Sequence, residues 1–232
     1  MLTACSATLV GPNTVRWTLP SPAVRASGRA RCSRRQRACG QLRRRASETT
    51  ATSTEPVIFR ETAKLHGLTT DRADFERFAR PLTAAHLERA AELRERGHAL
   101  PGAAAALNGL TEVGVRQTVV SGNIRAVAEL KLQVFGLDAP ILWELGAYGE
   151  DHDVRADLVQ LSLERAHTTA DAAVLIGDTP ADIEGAHTNS VRVIAVATGR
   201  SDQAALRDAG AEVVLPDLRD TDLLVKLVRH GG

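Results

Sequence analysis

Cysteine is missing from this chain after residue 39; Cys5, Cys32 and Cys39 all lie near the amino end. The body therefore has no disulfide framework and no cysteine-based zinc site. No apolar run approaches the ~18 residues of a membrane-spanning helix, which excludes a helical membrane protein. Acidic residues and lysine are absent from residues 1–47, which carry ten arginines. No internal repeat is visible. No two histidines stand at metal-ligand spacing. His152 sits in an acidic loop, and His167 and His187 follow helical runs, so solvated or capping roles suit them.

What remains is an ordinary globular composition. The chain has 232 residues, 44% hydrophobic and 25% charged, enough for one α/β domain with an inserted subdomain. The net charge of +1 hides an asymmetry. Without the ten amino-terminal arginines, 19 basic residues face 28 acidic ones, a net of −9. An acidic body is a poor nucleic-acid binder, so no nucleic-acid partner is expected, and no membrane. Residues 1–52 form an atypical Arg-rich segment. They read as a transit peptide or as coding sequence read out of frame, with a basic nucleic-acid arm as a weaker option. The segment is expected to be non-native or disordered. A short strand over Leu9–Val10 and Thr14–Trp17 is the one element it suggests. The protein is placed in the cytoplasm, or in an organelle if residues 1–47 are removed on import.

Residues 53–100 turn helical. Val57, Ile58, Ala63 and Leu65 give one apolar face, and Gly67 ends that helix. Residues 71–96 follow with Phe75, Phe78 and Ala79 on one side, and Pro81 is expected to break them. From residue 101 to 232 strands alternate with helices. Strands are expected over 115–120, 140–145, 173–176, 191–197 and 211–215, and helices over 103–113, 124–135, 154–167, 203–208 and 218–228, with one more after Thr179. Short alternation of this kind predicts βαβ units and a parallel, Rossmann-like sheet, an α/β fold.

The chemistry concentrates in residues 172–185, AAVLIGDTPADIEG. An apolar strand breaks at Gly177 and delivers Asp178 to its carboxyl end. Thr179 and Pro180 suit the cap and first position of a helix, with Asp182 in its first turn. Carboxylates at such a strand end lie in the crevice where open α/β sheets bind ligands, and oxygen donors there suit Mg²⁺. Thr179 and Asp182 also read as a plain capping box. Ser121, Gly122 and Asn123 end another strand before a helix, as an anion cradle of hydroxyl and backbone N–H groups or as a simple cap. Arg155 opens the helix after the 146–153 loop, either to neutralise an oxyanion or as a surface partner of Asp151 and Asp153. Thr198 and Gly199 end the next strand and can floor the same crevice.

The strings PGAAAALNGLTEVGVRQTVVSGNI, GAYGEDHDVRADLVQLSLERA and VLIGDTPADIEGAHTNSVRVIAVATG carry this order of hydroxyl, cation and carboxylate. Over about residues 54–230 the chain resembles the haloacid dehalogenase-like hydrolase superfamily, in particular its phosphoglycolate-phosphatase-like branch. The resemblance implies a Mg²⁺-dependent phosphatase of a small phosphorylated metabolite. It implies that Ser121 and its neighbours bind the phosphoryl group and that Arg155 stands where the family usually has lysine. Asp178 would hold Mg²⁺ and Asp182 would support it from behind. Residues 53–100 would be the family's cap, a lid that excludes water.

The resemblance also exposes a departure. The family's nucleophile is the first Asp of a DxDxT-type motif on the first, central strand. This sequence has no Asp before Asp71, which lies in the expected cap. Without it no aspartyl-phosphate forms. Such a chain is expected to be inactive as written, or to be a non-catalytic phosphate- or metabolite-binding protein. The strands ending at Ser121 and Asp178 should flank the slot of the missing strand. A well-formed strand from residues 5–17 in that slot would favour a native amino terminus; an empty slot would leave two exposed edges.

Overall fold

In a computed structural model the described residues are 6–10, 54–199 and 201–230. They form an α/β fold around a five-stranded sheet of order β2-β1-β3-β4-β5. The strands are β1 (Ser6–Val10), β2 (Val120–Ser121), β3 (Val174–Gly177), β4 (Arg192–Val196) and β5 (Val213–Leu215). The pairs β3–β4 and β4–β5 are parallel.

The parallel strands β3 and β4 are buried on both faces because they are apolar throughout except at Arg192, which opens β4 exposed. Val174, Ile176, Ile194 and Val196 point to one face, where they meet α4 (Ala103–Glu112) and α9 (Thr221–His230). Leu175, Val193 and Ala195 point to the other, against α6 (Arg155–Ala166), α7 (Pro180–Thr188) and α8 (Gln203–Asp208). Leu107, Leu110, Leu175, Ile183, Ile194 and Leu206 are fully enclosed. The period-two alternation of the strands thus builds two apolar layers, one on each side of the sheet.

Two expected strands are reduced. Residues 115–120 form a strand only at Val120–Ser121, and residues 140–145 contribute the bridge Gln117–Ile141 and a 3₁₀ turn over Trp143–Leu145. Gln117 explains part of this: its buried side chain donates to the carbonyl of Leu107 and to Thr111, tying the segment to α4.

β1 lies in the slot between β2 and β3, where the central strand was expected, but it runs antiparallel to both. Ser6 pairs with Ser121 and Thr8 with Ile176. Its amino end therefore lies at the crevice end of the sheet, where a parallel strand would place its carboxyl end. Its sequence, SATLV, contains no carboxylate. The slot is filled and its two edges are paired, but over five residues only and in reverse. The remainder of the Arg-rich segment, including the Thr14–Trp17 stretch, lies outside the described residues.

Between Glu55 and Arg96 stand three helices, α1 (Glu55–Leu65), α2 (Arg72–Glu88) and α3 (Ala90–Arg96). Pro81 does not break α2; the helix runs through it and stops at Arg89. A full capping box explains its early stability: Asp71 accepts from Asp74 N, and the Asp74 side chain accepts from Asp71 N. Phe59, Phe75 and Phe78 form one aromatic cluster, with Phe59 and Phe78 stacked at a centroid distance of 4.7 Å and Phe75 edge-on to Phe59. Phe75 is buried against Ile124 and Val127 and docks the helical segment on α5 (Arg125–Val134).

Candidate functional site

The site is built at the end of β3. Asp178 follows Gly177 directly and is 2% exposed. Gly177 is needed because a Cβ there would lie 2.5 Å from that of Asp182. Thr179 caps α7 in extended geometry, with Pro180 in its first turn. The Thr179 hydroxyl accepts from Asp182 N at 3.2 Å and donates to Asp182 Oδ2 at 2.7 Å. The cap is one-sided: the Asp182 carboxylate accepts from the Thr179 hydroxyl and not from the Thr179 backbone N–H, so the reciprocal capping box is not formed. Oδ2 serves the cap, while Oδ1 is buried without a hydrogen bond. Arg155 Nε lies 3.5 Å from that Oδ1, an ion pair outside hydrogen-bond geometry. Arg155 is 8% exposed, so it is no surface arginine, and its guanidinium donates to the carbonyl of Val120 on β2.

Asp178 Oδ1 is likewise buried without a partner. Burial raises the Asp178 carboxyl well above the usual carboxylate range; the Asp182 charge raises it further and Arg155 opposes both. Two buried carboxylate oxygens without hydrogen bonds are a donor set that a hard divalent cation fits, since Mg²⁺ takes one or two carboxylates and completes its shell with water and phosphate. No group of three His, Cys, Asp or Glu side chains suited to a metal stands among the described residues. Gly199 floors the site as expected: a Cβ there would lie 1.8 Å from Asp178 Oδ2.

The loop Ser121–Gly122–Asn123 lies at the end of β2, across β1 from Asp178. Its backbone differs from the expected cradle of available N–H groups. Asn123 N donates to Ser121 Oγ, Ile124 N to Glu55 Oε2, and Arg125 N to both oxygens of Glu150. The protein's own carboxylates thus occupy the start of α5, as the helix dipole favours. Burial raises the carboxyls of both Glu55 and Glu150. Further backbone bonds hold the loop, from Glu55 N to Gly122 O at 2.7 Å and from Gly149 N to Asn123 O at 2.9 Å. Gly149 has to be glycine, since its Cβ would lie 2.2 Å from Gly122 O.

Sequence reasoning singled out Ser121, Gly122, Asn123, Arg155, Asp178 and Asp182. The structure brings Arg155, Asp178 and Asp182 together and sets the Ser121 loop at the same end of the sheet. It adds Glu55, Glu150 and Lys131, which reasoning from the sequence missed. Lys131 had one signal: it sits between Leu130 and Leu132 and is itself 3% exposed. A cleft of about 420 Å³ opens between α1, α2 and residues 151–157, lined by Pro56, Phe59, Asp71, Phe75, His152 and the Arg60–Asp153 ion pair.

The model of the haloacid dehalogenase-like hydrolase family matches residues 29–187. The chain belongs to the haloacid dehalogenase-like hydrolases. A second hydrolase-like model of the same kind matches residues 155–221, so the two together span the Ser121 loop, Arg155 and the Asp178 turn. Among solved structures the chain is similar to a hydrolase from Pseudomonas syringae, at 19% identity, 80% coverage of each chain and a TM-score of 0.58. It is also similar to a putative beta-phosphoglucomutase from Thermotoga maritima, at 18% identity, covering 81% of this chain and 83% of that one with a TM-score of 0.55. A phosphonoacetaldehyde hydrolase-like protein from Oleispira antarctica follows at 12% identity, 84% and 78% coverage and a TM-score of 0.51. These likenesses establish the fold. No curated protein matches the chain. No helix among the described residues is long and apolar enough to cross a membrane.

Proposed function

We propose that this haloacid dehalogenase-like chain is a phosphatase by descent, of the phosphoglycolate-phosphatase-like branch, that binds a small phosphorylated metabolite and Mg²⁺ without hydrolysing the ester. The observation that carries this reading is β1. The strand that fills the slot between Ser121 and Asp178 runs in reverse and has no carboxylate. Nucleophilic attack requires near-contact geometry, and the Asp71 side chain is committed to capping α2.

The remaining residues suit binding. Ser121 would donate to a phosphoryl oxygen. Arg155, buried beside Asp182, would offset anionic charge in the crevice. Asp178 would hold the cation, with Asp182 behind it. When bound, the ion would supply charge neutralisation between the phosphoryl oxygens and the carboxylates. The helices of residues 53–100 would act as the cap, with the cleft at Phe59 and Phe75 receiving the rest of the metabolite.

Titration of the full chain with inorganic phosphate, with and without Mg²⁺, tests the reading together with an assay on small phosphomonoesters. Saturable phosphate binding strengthened by Mg²⁺, without turnover, is expected. Mg²⁺-dependent turnover that Asp178→Ala abolishes would overturn the binding-only reading and demand a nucleophile outside the family's motif.

A further inference from the structure

Two consecutive peptide groups join Gly122, Asn123 and Ile124, and one residue of another segment grips both. The carbonyl of Gly122 accepts from Glu55 N at 2.7 Å. The N–H of that same peptide belongs to Asn123 and donates to Ser121 Oγ at 3.0 Å. The carbonyl and N–H of a trans peptide point to opposite sides, so a bond at one end aims the other. In the next peptide Asn123 O accepts from Gly149 N at 2.9 Å, and Ile124 N donates to Glu55 Oε2 at 2.8 Å. Glu55 thus holds one end of each peptide, the first with its backbone and the second with its side chain.

Glu55 is the first residue of α1, so this grip comes from the helical segment, 69 residues before Ile124 in the chain. Phe75 of α2 packs on Ile124 and Val127 and docks the same segment beside it. Lifting α1 away from the core must break both Glu55 bonds, and each peptide can then turn. A loop that is not held in place loses conformational entropy when a ligand orders it, which weakens binding.

We propose that Glu55 is a positioning residue for the Ser121 loop: it fixes two successive peptides of the loop from the helical segment and so couples docking of that segment to phosphate binding. The coupling is reciprocal, so phosphate bound at the loop tightens the docking. This inference rests on the phosphate-binding reading of the site.

The test is inorganic phosphate titrated calorimetrically into the full chain, Glu55→Ala and Glu55→Gln. Glu55→Ala removes the acceptor for Ile124 N, and affinity should fall about tenfold, the worth of one hydrogen bond to a charged group. Glu55→Gln keeps a side-chain carbonyl oxygen as acceptor and should stay within about threefold of the unaltered chain. Hydrogen exchange on the unaltered chain gives a second reading and carries the test if Glu55→Ala fails to fold. Saturating phosphate should slow exchange of the α1 amides, which open with the segment, and Glu55→Ala should lose that effect. If the unaltered chain binds no phosphate, the functional reading fails and this inference with it. The positioning role is refuted, while the phosphate site stands, by any of three results in a chain that binds phosphate: Glu55→Ala binds equally well, Glu55→Gln is as weak as Glu55→Ala, or phosphate leaves α1 exchange unchanged.

Discussion

Asp178 is held in a place that penalises its charge. Its carboxyl is raised by burial and by Asp182, with Arg155 giving partial relief. The sign of the pH effect follows from that direction. Above the ordinary Asp value of 3.8 the folded chain holds a proton that the unfolded chain releases. Stability of the metal-free protein therefore falls as pH rises from there through the raised folded value. Asp178→Asn removes that slope. In chelator at neutral pH it should melt at least about 2 °C higher than the unaltered chain, since ~1 kcal/mol shifts a chain of this size by roughly 2–4 °C. Equal melting temperatures at every pH would contradict the electrostatic description of the site. Mg²⁺ should raise the melting temperature of the unaltered chain but not of Asp178→Asn. At Gly199 a methyl group would collide with Asp178 Oδ2. Gly199→Ala should therefore displace the carboxylate and abolish the same Mg²⁺-induced shift, and an unchanged shift would show that Asp178 is not the ligand.

At the scale of elements, much of the molecule was legible and the failures have physical causes. The 172–185 stretch could be read because strand, cap and carboxylates are contiguous, and all of them stand as expected. Arg155 and Ser121 could be placed at strand ends or helix starts, although their burial, which excludes the surface reading of Arg155, is visible only in the fold. The Glu55 contact with Ile124 spans 69 residues and leaves no local pattern. Lys131 on an otherwise apolar helix face was the one visible anomaly. Pro81 was misjudged because the capping box at Asp71 and the docking of Phe75 outweigh the local cost of an internal proline. Pro81→Ala restores a donor and relieves that cost, so it should stabilise the chain by about 1 kcal/mol or more in urea unfolding. A loss of stability would mean that the proline shapes α2 for packing. The orientation of β1 was not readable either, since a short apolar strand pairs in either direction.

At the scale of the whole molecule, β1 ties the sheet together. It joins β2, which ends at the Ser121 loop, to β3, which ends at Asp178. Removing residues 1–10 would strip the partners from both edges, and exposed apolar edges associate. The truncated chain should aggregate, as measured by light scattering; a stable monomer would show that β1 is dispensable. The same strand carries the proposal that this chain binds without hydrolysing. Two family models and the fold place it among haloacid dehalogenase-like hydrolases, yet the strand between β2 and β3 carries no aspartate. The halves of the site that flank that strand remain well packed, with Ser121, Asp182 and Leu175 fully enclosed.

The most direct test of a phosphate site without a nucleophile is one phosphorus NMR sample of the chain with Mg²⁺ and a small phosphomonoester such as phosphoglycolate. The ester resonance should broaden and shift with added protein, and no inorganic phosphate should accumulate. Steady release of inorganic phosphate, lost in Asp178→Ala, would contradict the account.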